Sequence, residues 1–306
     1  MPTAPPPPLS NPRAERVRSV RALSRRSMRE RTGLFLAEGP QSVREAVLAR
    51  PDAVRELYLT ADAATRHADI VAAAESGRVA TYTCTEDVLA AMADTAAPQG
   101  VLAVCRLPGG DPSARLDALL ATRPQLLVVL THVRDPGNLG TVVRGADAVG
   151  ADGVLVSAGS VDVWSPKVVR STAGSLFHVP VIAGIAAEQL LARLRDDGIP
   201  LLAADGQGDV TLPELDAGLL ATPHAWVFGN EAWGLPVILR DRCDLVVRVP
   251  IRGRAESLNL AMAATVCLYA SITHTGATRQ AMADDASGRL SAPDHRQPGP
   301  SRRSAG

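Results

Sequence analysis

Cysteine is scarce and scattered in this 306-residue chain. Cys84, Cys105, Cys243 and Cys267 form no Cys-x-x-Cys pair, which excludes the usual zinc spacings. Reduced, structural thiols in a cytoplasmic protein are the expectation. The six histidines show no metal-ligand spacing either, so no metal is expected. No segment has the long uninterrupted apolar run of a membrane span, and "MPTAPPPPLS" lacks the basic-then-apolar order of a signal peptide. There is no G-x-x-x-x-G-K-[ST] phosphate loop, no G-x-G-x-x-G after a strand and no G-x-S-x-G. "DGQGD" at 205–209 reads as a turn.

Lysine is nearly missing too. Lys167 is the only one, so arginine serves as the general cation. The charges balance at 32 basic and 32 acidic residues, but not locally. Residues 1–31 hold eight arginines, Arg21, Arg25 and Arg26 among them, against only Glu15 and Glu30. That excess suits a polyanion such as RNA, and equally a solvated face.

The ends cannot build a core: a proline-rich lead (1–11) and a polar tail (275–306) are expected to be disordered. Between them "VRELYLT", "VATYTC" and "GVLAVCRL" read as strands, with "PQSVREAVLAR", "HADIVAAAES" and "TEDVLAAMAD" as helices. This gives a compact α/β domain over 12–107, and 108–123 reads as a linker with a helical piece. From Gln125 the pattern becomes regular βα alternation. "QLLVVLTHV", "GVLVSA", "HVPVIA", "PLLAAD", "HAWVFGN" and "DLVVRVP" are near-continuous aliphatic strands, as in a parallel sheet buried on both faces. Helices are expected at about 139–149, 166–175, 187–197 and 257–272, and the second domain over 124–274.

Open parallel sheets bind ligands at the carboxyl ends of their strands, and three loops there could carry chemistry. In "HVRDPGNLGTVVRGADAVGADGVLVS" (132–157), Asn138 reads as a helix N-cap and Arg144 as the only charge between Asp135 and Asp147. In "GNEAWGLP" (229–236), Gly229 and Gly234 bracket Glu231, and glycine lets backbone amides approach a ligand closely. The bland alternative is a strand–helix turn with a capping acid. In "VPIRGRAESLNLAMAATVCLYAS" (249–271), a basic loop leads to Ser257, Leu258 and Asn259. Capping explains Ser257 cheaply, but not Asn259 or the alanine run after it.

Taken together, "DPGNLGTVVRGADAVGADGV", "KVVRSTAGSLFHVPV", "VFGNEAWGL" and "VPIRGRAESLNLAMAA" resemble, in order, the motifs of the SpoU (TrmH-like) family of RNA ribose methyltransferases, in the SPOUT superfamily. The segment 12–107, with "FLAEG" and "APQGVLAV", resembles that family's amino-terminal L30e-like substrate-binding domain. One departure is Ala270, where many relatives carry an acid. The resemblance implies an α/β SPOUT domain with a carboxyl-terminal trefoil knot, and a homodimer. It also implies S-adenosyl-L-methionine held around Gly229, Gly234, Val249, Leu258 and Leu260.

By the same resemblance Arg144 is the catalytic arginine, with Asn138, Glu231, Ser257 and Asn259 around it, and Arg170 joins the RNA contacts. The reaction is attack of a ribose 2′-hydroxyl on a sulfonium methyl, which needs in-line placement and a route for a proton. A free guanidinium keeps its proton to about pH 12, so phosphate clamping and orientation rival base duty for Arg144. Ribosomal RNA is favoured over transfer RNA because of the separate first domain. A non-catalytic RNA-binding assembly factor and a base methyltransferase are the competing readings.

Overall fold

The computed structural model describes residues 7–287, with side chains as far as Thr273. Positions 1–6 of the expected lead and 288–306 of the expected tail lie outside the described residues. Leu9, assigned to the lead, is engaged instead: its amide donates to the Thr83 carbonyl and its carbonyl accepts from Thr85. The last helix, Leu260–Ser287, runs past the expected boundary at 274.

The first sheet contains β1 (Leu34–Glu38), β2 (Val54–Thr60), β3 (Ala80–Cys84) and β4 (Val101–Arg106), in the order β1-β4-β2-β3. Strand β4 is antiparallel to both neighbours, and β2 and β3 are parallel. The arginine-rich start forms two helices, Glu15–Ala22 and Arg26–Thr32. The second ends on Gly33 in the left-handed region (φ 67°), where a side chain would be strained, and the chain turns into β1. Thr60 and Thr85 cap Ala61–Arg66 and Glu86–Met92 by accepting from the Ala63 and Val88 amides.

The second sheet holds β5 (Leu126–Leu130), β6 (Gly153–Ser157), β7 (Val181–Ile185), β8 (Leu201–Ala204), β9 (Val210–Thr211), β10 (His224–Phe228) and β11 (Leu245–Arg248). All its pairings are parallel, in the order β7-β6-β5-β10-β8-β11-β9. The six expected strands are there, and β9 is an added edge too short to show a pattern. Burial on both faces explains the aliphatic runs. Leu126, Val128 and Leu130 face one core with Leu139, Val142 and Val143, whereas Leu127 and Val129 face another with Leu190, Leu191 and Leu194. The stretch expected to be a linker carries the helix Pro112–Leu120, and its Leu116, Leu119 and Leu120 enter that second core.

The two sheets share one apolar core. Phe35 of β1 lies 5.0 Å from Trp164 and 6.2 Å from Phe177, ring centre to ring centre. Charges reinforce the junction. Arg29, expected on a basic surface, is 3% exposed; it pairs with Asp162 and donates to the carbonyls of Leu23 and Ser24. Arg170 reaches Glu38 and Asp94, both at 3.3 Å. His178 stands between Asp147 (2.9 Å) and Glu45 (3.1 Å). Burial pushes its imidazole pKa down, but the two carboxylates outweigh burial and the net shift is upward.

Candidate active site

The site forms where the loops after β5, β10 and β11 converge. Strand β5 lies between β6 and β10, so the chain leaves it on one side and returns on the other, the crevice at which open parallel sheets bind ligands.

The loop after β5 turns at His132, a non-glycine residue in the left-handed region (φ 54°). Its amide donates to Ser157 Oγ at 3.0 Å, and its carbonyl accepts from Asn230 Nδ2 at 2.7 Å. The following helix spans Pro136–Ala148 and is capped by Asp135, whose Oδ1 accepts from the Asn138 amide at 2.8 Å. Asn138 is therefore not the N-cap. Pro136 at the first helical position needs no partner for an amide, so the cap falls one residue before it. The small residues of this helix serve close packing. A Cβ on Gly140 would sit 1.9 Å from Ser171 Oγ, and one on Gly145 3.5 Å from Thr265 Oγ1.

The loop after β10 closes on itself: Asn230 and Gly234 exchange two backbone bonds of 2.9 Å. A Cβ on Gly229 would lie 2.2 Å from the Gly234 carbonyl carbon, so only glycine fits there. Asn230, which sequence reasoning missed, is 5% exposed and ties this loop to His132 while accepting from the Ala232 amide. Its position between Gly229 and Glu231 was the available signal.

The helix after the third loop begins at Leu260, and its cap is Asn259, whose Oδ1 accepts from the amides of Ala261 (2.9 Å) and Met262 (3.4 Å). Ser257 is therefore not the cap. With its oxygen so engaged, Asn259 must present its Nδ2, which donates to Asn138 Oδ1 at 2.9 Å. Asn138 then presents its own Nδ2 to Glu231 Oε1 at 3.2 Å. Glu231 also accepts from the Asp135 amide (2.9 Å) and the Arg134 amide (3.1 Å). Burial pushes the Glu231 carboxyl pKa up, but these donors outweigh it and hold the group below the usual carboxylate range. One directed relay thus joins all three loops.

Beside the relay is a cavity of about 440 Å³. Gly229, Gly234, Val249, Leu258 and Leu260 line it, as do Glu231 and Ser257. Apolar walls from Phe228, Leu235 and Val247, exposed loop backbone and the carboxylate of Asp205 suit a ligand with a flat heterocycle and a polar tail. S-adenosyl-L-methionine has that character, so the residues present fit it.

Arg144 is not brought to this cavity. It stands six residues beyond Asn138, about 9 Å along the helix, exposed and without a polar partner among the described residues. Of the other arginines proposed for RNA, Arg21 donates to the Ala93 carbonyl and Arg26 pairs with Glu30 at 2.7 Å. The Arg25 side chain has no partner among the described residues, and Arg170 is held in the domain junction. Burial pushes the thiols of Cys105, Cys243 and Cys267 up to about 12, which leaves them poor nucleophiles. Among the described residues no helix is long and apolar enough to cross a membrane, and no cluster of three His, Cys, Asp or Glu side chains could hold a metal.

Comparison with known proteins agrees with this geometry. The SpoU rRNA Methylase family matches residues 125–269, and the MRM3-like substrate binding domain matches 14–103. The chain is 33% identical over 255 residues to the 23S rRNA (guanosine(2553)-2′-O)-methyltransferase of Bacillus subtilis, covering 83% of this chain and 95% of that one. It is also 33% identical over 235 residues to a 23S rRNA (guanosine-2′-O-)-methyltransferase of Nitrosomonas europaea, covering 76% and 88%. A crystal structure of an AdoMet-bound rRNA methyltransferase from Sinorhizobium meliloti superposes with a TM-score of 0.74 at 29% identity, covering 88% of this chain and 98% of that one. The converging loops, the directed relay and these likenesses agree: the chain belongs to the SpoU family of RNA 2′-O-ribose methyltransferases.

Proposed function

We propose that the protein methylates a ribose 2′-hydroxyl of 23S ribosomal RNA, with Arg144 required for transfer. The observation that carries this reading is the relay Asn259–Asn138–Glu231, which fixes three loops around one cavity. S-adenosyl-L-methionine, when bound, supplies an electrophilic methyl group. Gly229, Gly234, Val249, Leu258 and Leu260 hold it through close-approaching backbone and apolar contact. Asn138 and Glu231 order the loop beside the reacting ribose, and the Ser257 hydroxyl, exposed and without a partner among the described residues, bonds to it. The guanidinium of Arg144, without a polar partner among the described residues, clamps a flanking phosphate, which places the 2′-hydroxyl in line for displacement. Ribosomal RNA is preferred to transfer RNA because the matched substrate-binding domain sits on the same core and the similar proteins bear 23S names. A catalytically silent assembly factor would have no need of the relay.

The protein acts in the cytoplasm as a homodimer. Met262, Val266 and Tyr269 recur at helical spacing on the last helix and are 59%, 42% and 46% exposed, a seam for a second copy. The carboxyl-terminal passage forms a knot. What supports this is that β11 lies on the far side of β8 from β10, while the next helix packs back against Pro136–Ala148. Incubation of the purified protein with labelled cofactor and unmodified ribosomal RNA, then nucleoside mass spectrometry, tests the activity. A 2′-O-methylnucleoside is the expected product, and a base-methylated one refutes ribose chemistry.

A further inference from the structure

We propose that Trp233 is the stacking platform for the base of the target nucleotide, and that it selects a nucleotide held out of a duplex. This rests on ribose methylation at the cavity described above.

Three tryptophans are present and two have internal duties. Trp226 is fully buried, with Nε1 donating to Ser271 Oγ at 2.9 Å, and Trp164 packs on Phe35. Trp233 is 58% exposed. An indole left in water gives up the stabilisation that its burial would bring. Its backbone is nevertheless held firmly. Trp233 lies inside the small loop closed by the paired Asn230–Gly234 bonds, itself fixed by the buried Asn230 side chain. The ring is thus presented from a rigid mount, which lowers the ordering cost of contact with a ligand.

Its place is also specific. Trp233 follows Glu231 by two residues and lines the same cavity as Ser257, Ile251 and Glu256. Between Ile251 and Glu256 lie Arg252 and Arg254, both exposed and without polar partners among the described residues. An aromatic face bordered by a loop that carries exposed arginines is the combination that binds single-stranded nucleic acid: stacking takes the base and arginine takes the phosphates. The reaction brings a ribose to this cavity, and the base attached to that ribose must rest on something at its rim. Within a duplex both faces of a base are covered by its neighbours, so an indole can meet one only when the nucleotide is unstacked.

The experiment pairs kinetics with fluorescence on the full-length protein. Trp233→Ala should raise KM for an unmodified 23S ribosomal RNA transcript by roughly five- to a hundredfold, the range expected when one base–aromatic stack is removed. The change in kcat should stay under about threefold, and Trp233→Phe should restore most of the KM. A ten-nucleotide unstructured RNA should quench the wild-type tryptophan fluorescence but not that of Trp233→Phe, and an abasic strand of equal length should quench neither. Unchanged KM in Trp233→Ala, weaker cofactor binding with unchanged KM, or loss of the dimer with unchanged KM would each overturn the proposal. A wild-type protein that quenches with the oligonucleotide yet methylates no ribose would overturn the activity and leave the platform standing.

Discussion

Replacing Glu231 with Gln isolates a charge, because the two side chains share a shape. The carboxylate accepts from the amides of Asp135 and Arg134 and from Asn138 Nδ2. Gln keeps one acceptor oxygen and turns an NH2 group toward at least one of those donors, so one bond is broken and two donors face each other. A hydrogen bond to a charged group contributes about 1.5–3 kcal/mol when protected from water. This carboxylate is exposed and screened, which reduces the expected loss to about 1 kcal/mol. Its pKa is lower in the folded chain than the ordinary 4.5, so its contribution is present above that value and lost as pH falls through the folded-state value. Urea unfolding should therefore show Glu231→Gln less stable than wild type at pH 7.5, with the gap narrowing as pH drops below 4.5. Methyl transfer should fall at least about tenfold as the loop after β5 loses the bond at the Arg134 amide and the charge that anchors the relay. An equal stability gap at both pH values would refute the reasoning, since a loss of packing does not titrate.

The remaining predictions are independent of one another. Arg144→Ala should bind S-adenosyl-L-methionine within about twofold of wild type by calorimetry while transfer falls about a hundredfold, the scale on which a positioned group acts. Gly140→Ala should cost about 1–3 kcal/mol in chemical denaturation, because its Cβ would lie 1.9 Å from Ser171 Oγ. Adding Ser171→Gly should recover part of that loss. Arg18 and Arg25 have no side-chain partner among the described residues. Replacing both should reduce the log–log salt slope of RNA binding by about 0.7–0.9 for each phosphate no longer neutralised; an unchanged slope would mark a merely solvated face. Val266→Arg should yield a folded monomer by sedimentation velocity, since the residue is 42% exposed and its outer face is left uncovered by the described residues.

The convergence of the three loops was legible because motif order in the sequence becomes adjacency at one end of a parallel sheet. The six aliphatic strands show themselves by composition, and the loops after three of them carry the polar residues. What the sequence hid was which atom of each polar residue does what. Asn138 and Ser257 both look like caps, yet Asp135 and Asn259 hold those places, and Pro136 decides the first case. Nor does periodicity reveal partners distant in sequence. Arg29 belongs by composition to the basic start, but Asp162, 133 positions away, draws it inside. Strand order was equally hidden, because every buried parallel strand reads alike.

The shared core beneath Phe35, Trp164 and Phe177 bears on how this architecture can be re-engineered. A recognition domain on a flexible tether can be exchanged by cutting the tether, and its new specificity travels with it. Here the recognition domain is bonded into the junction through Arg29–Asp162, Arg170–Glu38 and His178–Glu45. Grafting a foreign front half would leave those charges without counterparts and bare an apolar face that neither half tolerates in water. Retargeting therefore has to proceed by resurfacing the existing front half, residue by residue, with its underside kept unchanged.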